Sequence, residues 1–314
     1  MKSNKKLIIF TTLLMLTMLL AACGGNDNSS ENSSDDNSGN NNDDKLEMGQ
    51  EEISIPYVSW PSAIASSNVI KVALEEQGYD VTLQQVNSGA MYTGIADQTS
   101  EASVCVWLPN TDADYWEEYG GDIEMLGPNV EGTPLGLAVP EYMKDVNSIE
   151  DLADNTNSVG DETEWTITGI EPGSGQMELT KNQVMEDYGL DNWTLQASSS
   201  AAMATSLGEA INNQEPVVVT LWSPHWAFSK WDLKYLDDPQ NSYGDPDDIN
   251  TVVREGLEED APRAHEILNQ FALSKSELES VMVEINNGTD PETAAQEWVN
   301  NNQDTVNEWY ETIQ

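Results

Sequence analysis

The chain is short of basic residues. It has 12 Lys and Arg against 56 Asp and Glu, and its formal net charge at pH 7 is −44. Nucleic acids and anionic membrane surfaces are bound through basic patches, so this composition argues against both as partners. Such a charge destabilises a compact chain in dilute buffer and is screened in salt, which predicts an acidic surface of the halophilic type in a saline exterior.

Cysteine and histidine are also rare, with two of each in 314 residues. Cys105 lies in the apolar run SVCVW and is predicted to be a small core residue. The sequence contains no nucleophile elbow, histidine metal cluster or P-loop. It therefore predicts a protein that is not an enzyme, with no catalytic residues, no metal and no cofactor.

The N-terminus has the pattern of an export signal. Three lysines precede an apolar run over 7–20, and Ala21 and Ala22 directly precede Cys23. This arrangement resembles the lipobox of bacterial lipoproteins, so residues 1–22 are predicted to be a signal peptide and Cys23 to be lipidated. Residues 23–52 are predicted to be the lipidated cysteine and a disordered Asn/Asp/Ser/Gly tether. We expect a protein anchored by lipid to a cell membrane, on its extracellular or periplasmic side.

One order of strands and helices occurs twice. The first copy reads ISIPYVSW, a helix ending at Gly78, VTLQQV, a helix beginning near Ala90, and SVCVW. The second reads TITGI, a helix ending at Gly189, WTLQA, a helix through Ile211, and PVVVTLW. A βαβαβ order implies parallel strands with helical crossovers. The sequence predicts two α/β lobes, each a mainly parallel sheet flanked by helices.

The two copies also align at their strand ends. The WLP motif at Trp107 matches the WSP motif at Trp222, and Trp60 and Gly175 each lie 47 positions upstream of these tryptophans. Ligands of open parallel sheets bind outside the carboxyl ends of the strands, which predicts a ligand cleft between the lobes. The expected boundaries are 53–138 with 232–314 for lobe I, and 139–231 for lobe II.

Three tryptophans are predicted to end strands beside this cleft: Trp60, Trp107 and Trp222. Indole faces attract a quaternary ammonium ion through the ring quadrupole, with about 0.5–2 kcal/mol for each desolvated ring. Trp298 and Trp309 fall on helical apolar stripes and are predicted to be core. The roles of Trp165 and Trp226 stay open.

A glycine-rich turn, PGSGQM, offers a second half to the site. Where such a turn opens a helix, free N–H groups and the positive end of the helix dipole bind an anion. Three rings supply roughly 1.5–6 kcal/mol, and micromolar binding requires about 8 kcal/mol. A cation cage joined to a carboxylate seat therefore indicates a small betaine.

Long motifs support this interpretation: YVSW, SGAMYTGIAD, VWLPNTD, LGPNVEGTPLGLAVPEYM, TITGIEPGSG and VVVTLWSPHW. Together they resemble the substrate-binding lipoproteins of glycine betaine/proline-type ABC importers. The resemblance implies a two-lobed periplasmic-binding-protein fold and a trimethylammonium group held between Trp60, Trp107 and Trp222. It implies that the backbone of Gly175 and Gln176 takes the ligand carboxylate. It also implies an ABC permease and its ATPase as partners, in the uptake of an osmoprotective compatible solute.

One position departs from that family. Asp112 stands where the family has a histidine that helps to hold the carboxylate, and an ionised Asp there would repel a carboxylate. Three interpretations stay open: Asp112 turns away, it is protonated, or the ligand differs. His225 is a candidate substitute for the missing histidine, and a surface or packing role for it is equally open.

Other ligands and one other class of protein are compatible with parts of this pattern. Choline, carnitine, proline and proline betaine remain alternatives. Choline lacks a carboxylate and would leave the predicted seat unused, and proline lacks the methylated cation and would use the tryptophans poorly. A secreted carbohydrate hydrolase would also use tryptophan platforms with an Asp/Glu pair. In so acidic a chain, carboxylate pairs carry little information. Calcium at Asp245–Asp248 has the wrong spacing for the regular twelve-residue loop.

Overall fold

The computed structural model describes residues 46–313. The predicted signal peptide, the lipidation at Cys23 and most of the predicted tether lie outside the described residues. The strands of the described part are β1 (Glu52–Tyr57), β2 (Asp80–Gln85), β3 (Ala102–Leu108), β4 (Ile123–Thr133), β5 (Leu135–Pro140), β6 (Thr166–Thr168), β7 (Thr194–Gln196), β8 (Val218–Trp222), β9 (Leu233–Tyr235) and β10 (Asp247–Arg254). The mixed α/β class is confirmed.

Helices separate most of these strands. They are α1 (Pro61–Glu76), α2 (Ser88–Ala96), α3 (Ala113–Tyr119), α4 (Ile149–Ala153), α5 (Val159–Glu162), α6 (Gly175–Leu179), α7 (Met185–Asp187), α8 (Ser200–Asn213), α9 (Trp226–Lys230), α10 (Leu257–Asp260), α11 (Pro262–Gln270), α12 (Lys275–Asn286), α13 (Pro291–Asn301) and α14 (Gln303–Trp309). A π-helical segment, Thr180–Val184, joins α6 to α7, so one continuous helix runs over 175–187. Within residues 46–313, no helix is both long enough and apolar enough to span a bilayer.

The sheets contain both parallel and antiparallel pairs. β1 pairs in parallel with β2, and β6 pairs in parallel with β7 and β8, as the repeated βαβαβ pattern predicts. β10 lies antiparallel between β3 and β4, and β5 lies antiparallel between β8 and β9. The segments between and after the two copies thus add antiparallel strands beside the repeat, and the sheets are more mixed than predicted.

Strand pairing moves the predicted lobe boundaries. β5 begins at Leu135 and β9 ends at Tyr235, and both belong to the five-stranded sheet of the second copy. The predicted boundaries at 138/139 and 231/232 therefore cut this sheet and are wrong by several residues. The reason is that the chain forms one strand of the lobe II sheet as it enters the lobe, β5, and another before it leaves, β9.

The end of the predicted tether is folded against lobe I. The carbonyl oxygen of Leu46 accepts hydrogen bonds from Arg263 at 2.7 and 3.0 Å, and that of Met48 accepts one from Tyr79 Oη at 2.9 Å. The N–H of Gln50 donates to the carbonyl of Asp260 at 2.8 Å. Disorder predicted through residue 52 is therefore wrong for 46–51, because this backbone finds polar partners on lobe I.

Two buried clusters support the lobes. Lobe II has its own small core, which includes Leu137, Ile149, Ile167 and Val218. The larger cluster contains the lobe I strands and the C-terminal helices. Its members include Trp298 and Trp309, as their helical spacing predicts, and the two rings stack at 6.2 Å. The core thereby fixes the strand ends from which the cleft residues project.

Candidate functional site

A small cavity of about 20 Å³ lies between the lobes, far below the roughly 300–1,000 Å³ usual for ligand pockets, so the closed lobes leave little empty space between them. Its walls combine aromatic, aliphatic and polar side chains: Trp60, Trp107, Thr111, Leu135, Ile170, Gln176 and Trp222. The three predicted tryptophans and Gln176 are therefore brought together. Each indole is at most 5% exposed, so a ligand here would lie against desolvated rings.

Local structure explains how each tryptophan reaches the cavity. Trp60 follows β1 and is the N-cap residue of α1, whose first position is Pro61. Trp107 lies near the end of β3, and Trp222 is the last residue of β8. The cavity thus lies at the carboxyl ends of strands, where open α/β sheets bind ligands.

Direct contacts hold the two lobes together around this cavity. Nε1 of Trp222 donates to Ser62 Oγ on α1 at 3.2 Å. The hydroxyl of Tyr115 on α3 donates to the carbonyl of Gly173 at 2.7 Å, and its ring stacks on Tyr92 at 5.0 Å. The lobes are therefore closed on each other in this structure.

The start of α6 approaches lobe I so closely that only glycine fits. A Cβ on Gly175 would lie 1.9 Å from the carbonyl oxygen of Thr111, far inside van der Waals contact. Gln176 Nε2 donates to the carbonyl of Leu221 at 2.9 Å, which turns its side chain toward the lobe II sheet. Among the described residues, no hydrogen bond uses the backbone N–H of Gly175 or Gln176. These two donors are available to an anion.

Asp247 holds the lobe I loop that carries Thr111. Its Oδ1 accepts from the backbone and side-chain amides of Asn110 at 2.7 and 2.9 Å, and its Oδ2 accepts from the Thr111 N–H at 2.8 Å. Asp247 is buried, so these bonds replace the water that the carboxylate loses. It is a positioning residue for the cavity wall.

Asp112 closes the same loop but does not line the cavity. Its Oδ2 accepts from the Trp107 N–H at 2.9 Å, and its own N–H donates to the Trp107 carbonyl at 2.9 Å. Burial raises the pKa of Asp112 to about 7, with a smaller contribution from the charge of Asp247, although the Trp107 N–H and the Tyr92 hydroxyl oppose this shift. Asp112 thus lies outside the cavity lining and is close to half-protonated at neutral pH.

His225 lies behind the cavity wall. Its Nδ1 accepts from the Ala227 N–H at 3.0 Å and caps α9, and its ring packs edge-on against Trp222 at 4.8 Å. Burial lowers the pKa of His225 to about 3, so the imidazole is neutral. This position outside the lining corresponds to the packing role that the sequence left open.

The remaining open tryptophans lie elsewhere. Trp226 contacts Trp231 at 5.4 Å, and Lys230 Nζ lies 5.2 Å from the Trp226 ring. Trp165 packs edge-on against Trp193 at 5.7 Å beside the lobe II core. Neither ring lines the cavity.

Two acidic residues near the cleft, Asp247 and Asp248, accept hydrogen bonds from backbone N–H groups. Asp248 Oδ1 accepts from the Gly132 N–H at 2.7 Å, and the Asp247 oxygens bind the loop at Thr111. No cluster of His, Cys, Asp and Glu that could hold a metal ion occurs within residues 46–313.

Fold and cavity together define a two-lobed α/β binding protein with an aromatic site between its lobes. Residues 51–301 match the family "Substrate binding domain of ABC-type glycine betaine transport system". The chain belongs to this family.

Known relatives support the assignment. The chain is 46% identical over 163 residues to the glycine betaine/carnitine transport binding protein GbuC of Listeria monocytogenes, a match that covers 51% of this chain and 54% of that protein. The match thus spans about half the length of this curated relative.

Solved structures share the fold over most of the chain. Lactococcal OpuAC, in its closed-liganded conformation with glycine betaine, is 40% identical with a TM-score of 0.78, over 83% of this chain and 100% of that chain. The glycine betaine/L-proline-binding protein ProX of Borrelia burgdorferi is 33% identical with a TM-score of 0.78, over 83% of this chain and 99% of that chain.

Sequence reasoning missed several residues of the site. Thr111 and Ile170 lie inside the VWLPNTD and TITGIEPGSG motifs. Ile170 comes two residues after β6 ends, so its position near a strand end could have identified it, as it identified the tryptophans. Leu135 lies between the two copies of the repeat, where the sequence predicts no site residue. Asp247 is 137 positions from Asn110, and nothing in the sequence signals their contact.

Proposed function

We propose that this protein is the extracytoplasmic binding component of an ABC importer and captures glycine betaine or a related quaternary ammonium solute. One observation carries the proposal: the indoles of Trp60, Trp107 and Trp222 converge on one buried cavity. A trimethylammonium group has no N–H to donate, so it is bound through ring quadrupoles and van der Waals contact instead of directional hydrogen bonds.

The polar end of the cavity suits a carboxylate. The free N–H groups of Gly175 and Gln176 open a helix of 13 residues, and the helix dipole adds to their attraction for an anion. Thr111 Oγ1 is buried, has no hydrogen-bond partner among the described residues, and lines the same cavity. These donors favour glycine betaine over choline, which has no carboxylate.

Closure of the lobes explains how binding can be signalled. Trp60 and Trp107 belong to lobe I and Trp222 to lobe II, so a cation held by all three requires both lobes. A ligand that bridges the lobes favours the closed state by its differential affinity. The closed form would then dock on a permease that its ATPase drives, with no chemical change to the solute. The protein is a binding protein and not an enzyme.

Calorimetry with glycine betaine, carnitine, proline betaine and choline tests this function. We expect glycine betaine to bind in the micromolar range or tighter, about 8 kcal/mol or more, and choline to bind more weakly. Equal affinity for choline and glycine betaine would show that the N–H groups of Gly175 and Gln176 do not bind a ligand carboxylate. Failure of all four ligands to bind would contradict the proposed function.

Attachment to the membrane is a separate proposal, which rests on the sequence around Cys23. A lipidated Cys23 would hold the protein at the cell surface, where it could deliver compatible solutes during osmotic stress. Expression of Cys23→Ser in a bacterial host, with fractionation into membrane and medium, tests it. Retention of the variant in the membrane fraction would contradict lipid anchoring.

A further inference from the structure

Asp112 is a buried carboxyl group with one oxygen left free. It is 1% exposed, and its Oδ2 is used by the Trp107 N–H. Its Oδ1 is buried and has no hydrogen-bond partner among the described residues, and the Tyr92 hydroxyl, likewise without a partner there, lies near enough to stabilise the carboxylate. Because Oδ2 already accepts a hydrogen bond, the proton of a neutral Asp112 belongs on Oδ1, which then becomes a donor.

This free oxygen points across the cleft at the start of α6. It lies 2.8 Å from the position that a Cβ on Gly175 would take. The unpartnered N–H groups of Gly175 and Gln176 and the unpartnered hydroxyl of Thr111 lie in the same region. An ionised Oδ1 would compete with a ligand carboxylate for these donors and repel it, whereas a protonated Oδ1 would do neither.

No cation among the described residues compensates Asp112. The ionisable groups that face it are Tyr92 on α2, Cys105 on β3, Tyr115 on α3 and Asp247 on β10, while α6 carries Glu178 further along. No salt bridge within residues 46–313 includes Asp112.

The neutral neighbours of Asp112 do not change charge near neutral pH. Burial raises the pKa of the Cys105 thiol to about 11, and burial also raises the pKa of Tyr92 and of Tyr115 above the ordinary tyrosine value. Burial raises the pKa of Asp112 itself to about 7. Among these four groups, Asp112 is therefore the one whose charge changes near neutral pH.

We propose that Asp112 determines which quaternary ammonium ligands the cleft accepts, through the protonation state of its free oxygen. With a proton on Oδ1, the donors at Gly175 and Gln176 are open to a ligand carboxylate and the cleft selects betaines. With Oδ1 ionised, carboxylate-bearing ligands lose affinity, and a cation without a carboxylate does not. This inference rests on the proposed function of the cavity as a quaternary ammonium site.

The expected size of the effect follows from the competent fraction of the protein. If only the protonated form binds a betaine, the apparent Kd rises about 30-fold between about pH 5.5 and about pH 8.5. Choline carries the cation alone, so its Kd stays constant or falls over the same range.

Calorimetric titration of the whole protein with glycine betaine and with choline, at about pH 5.5, 7 and 8.5, tests the inference. Asp112→Asn keeps an acceptor for the Trp107 N–H and cannot ionise, so we expect its Kd for glycine betaine to stay near the low-pH value of the unchanged protein. Asp114→Asn, on exposed α3, and His265→Gln, on α11, serve as controls that keep the pH dependence.

The outcomes separate the two proposals. Failure of both ligands to bind at every pH would reject the proposed function. Binding of glycine betaine with a Kd that does not change with pH, or a pH dependence that survives in Asp112→Asn, would reject the role of Asp112 alone.

A second measurement covers the case in which Asp112→Asn fails to fold. The unchanged protein is titrated with glycine betaine at about pH 7.5 in buffers of different ionisation enthalpy, which gives the number of protons taken up on binding. We expect net uptake with glycine betaine and no uptake, or release, with choline. Zero uptake with glycine betaine would overturn the inference.

Discussion

The loops that follow β3 and β8 begin alike and then use their next polar side chain in different ways. Each starts with a tryptophan of the cavity and continues through a cis proline, Pro109 or Pro224. In the first loop, Asp112 bonds back to the tryptophan and leaves one oxygen facing the other lobe. In the second, His225 turns inward and caps α9.

Burial has opposite effects on the pKa values of these two groups. It raises the pKa of Asp112 to about 7 and lowers the pKa of His225 to about 3. Both shifts have one cause, since a low-dielectric environment disfavours the charged form of either side chain. Both residues are therefore neutral in mildly acidic solution, and only the lobe I loop changes charge near neutral pH.

The largest effect is expected where the two lobes touch. Gly175→Ala places a Cβ 1.9 Å from the Thr111 carbonyl, so the lobes cannot close fully. We expect a loss of glycine betaine affinity of about 5- to 150-fold, because overpacking costs about 1–3 kcal/mol. Gly121→Ala, where an added Cβ meets open space, is the matched control. Calorimetry that finds equal affinity for both variants would refute the contact.

The two loop tryptophans test whether the lobes contribute equally to the cage. Trp107→Ala and Trp222→Ala should each weaken glycine betaine binding by about 2- to 30-fold, the value of one desolvated cation-π contact. Trp226→Ala removes an indole outside the cavity and should bind normally. If calorimetry finds that the affinity of the Trp107 or the Trp222 variant is unchanged, that indole does not contact the ligand.

Asp247 supports the lobe I loop, and its loss should mainly lower the free energy of unfolding. Asp247→Ala deletes the acceptor for Asn110 and Thr111 and should lower the free energy of unfolding by about 1–3 kcal/mol. Ser223→Ala, in the lobe II loop, removes one bond to Tyr235 and should cost less. Urea denaturation measures both. If the Ser223 variant loses more, the lobe I loop does not depend on Asp247.

The smallest effect on binding is expected at His225. Because the folded pKa is about 3 and the ordinary value is 6.5, the stabilising contribution of the neutral ring is present above about pH 6.5 and is lost as pH falls toward 3. His225→Asn keeps a capping acceptor without this titration. We expect a shallower acid-side loss of stability in urea titrations. Glycine betaine affinity should stay within about twofold, because no cation-π contact is removed.

A change in betaine affinity of the His225→Asn variant as large as in the tryptophan variants would place the imidazole in the site. It would also erase the difference between the two loops.

Much of this organisation could be predicted from the sequence because it is periodic and local. The repeated βαβαβ order and the matched positions of Trp107 and Trp222 indicated two lobes and a shared cleft. The strands β4, β5, β9 and β10 could not be predicted in the same way, because their pairing is with strands distant along the chain. The lobe boundaries therefore moved.

For the site, tryptophan identity and strand-end position were sufficient to predict that Trp60, Trp107 and Trp222 lie together at one cavity. The polar residues were harder. Asp112 and His225 both lie a few residues after the tryptophan of their loop. The path of the backbone decides which N–H each side chain accepts from, that of Trp107 or that of Ala227. The contact of Asp247 with Asn110 depends on how β10 lies beside β3, which no local pattern reports.

A crystal structure of the protein with glycine betaine, grown at about pH 6 where Asp112 is mostly protonated, tests the central claim most directly. The account predicts the trimethylammonium group between Trp60, Trp107 and Trp222, with the carboxylate at the N–H groups of Gly175 and Gln176. A ligand bound outside these three rings, or with its carboxylate directed away from α6, would contradict it.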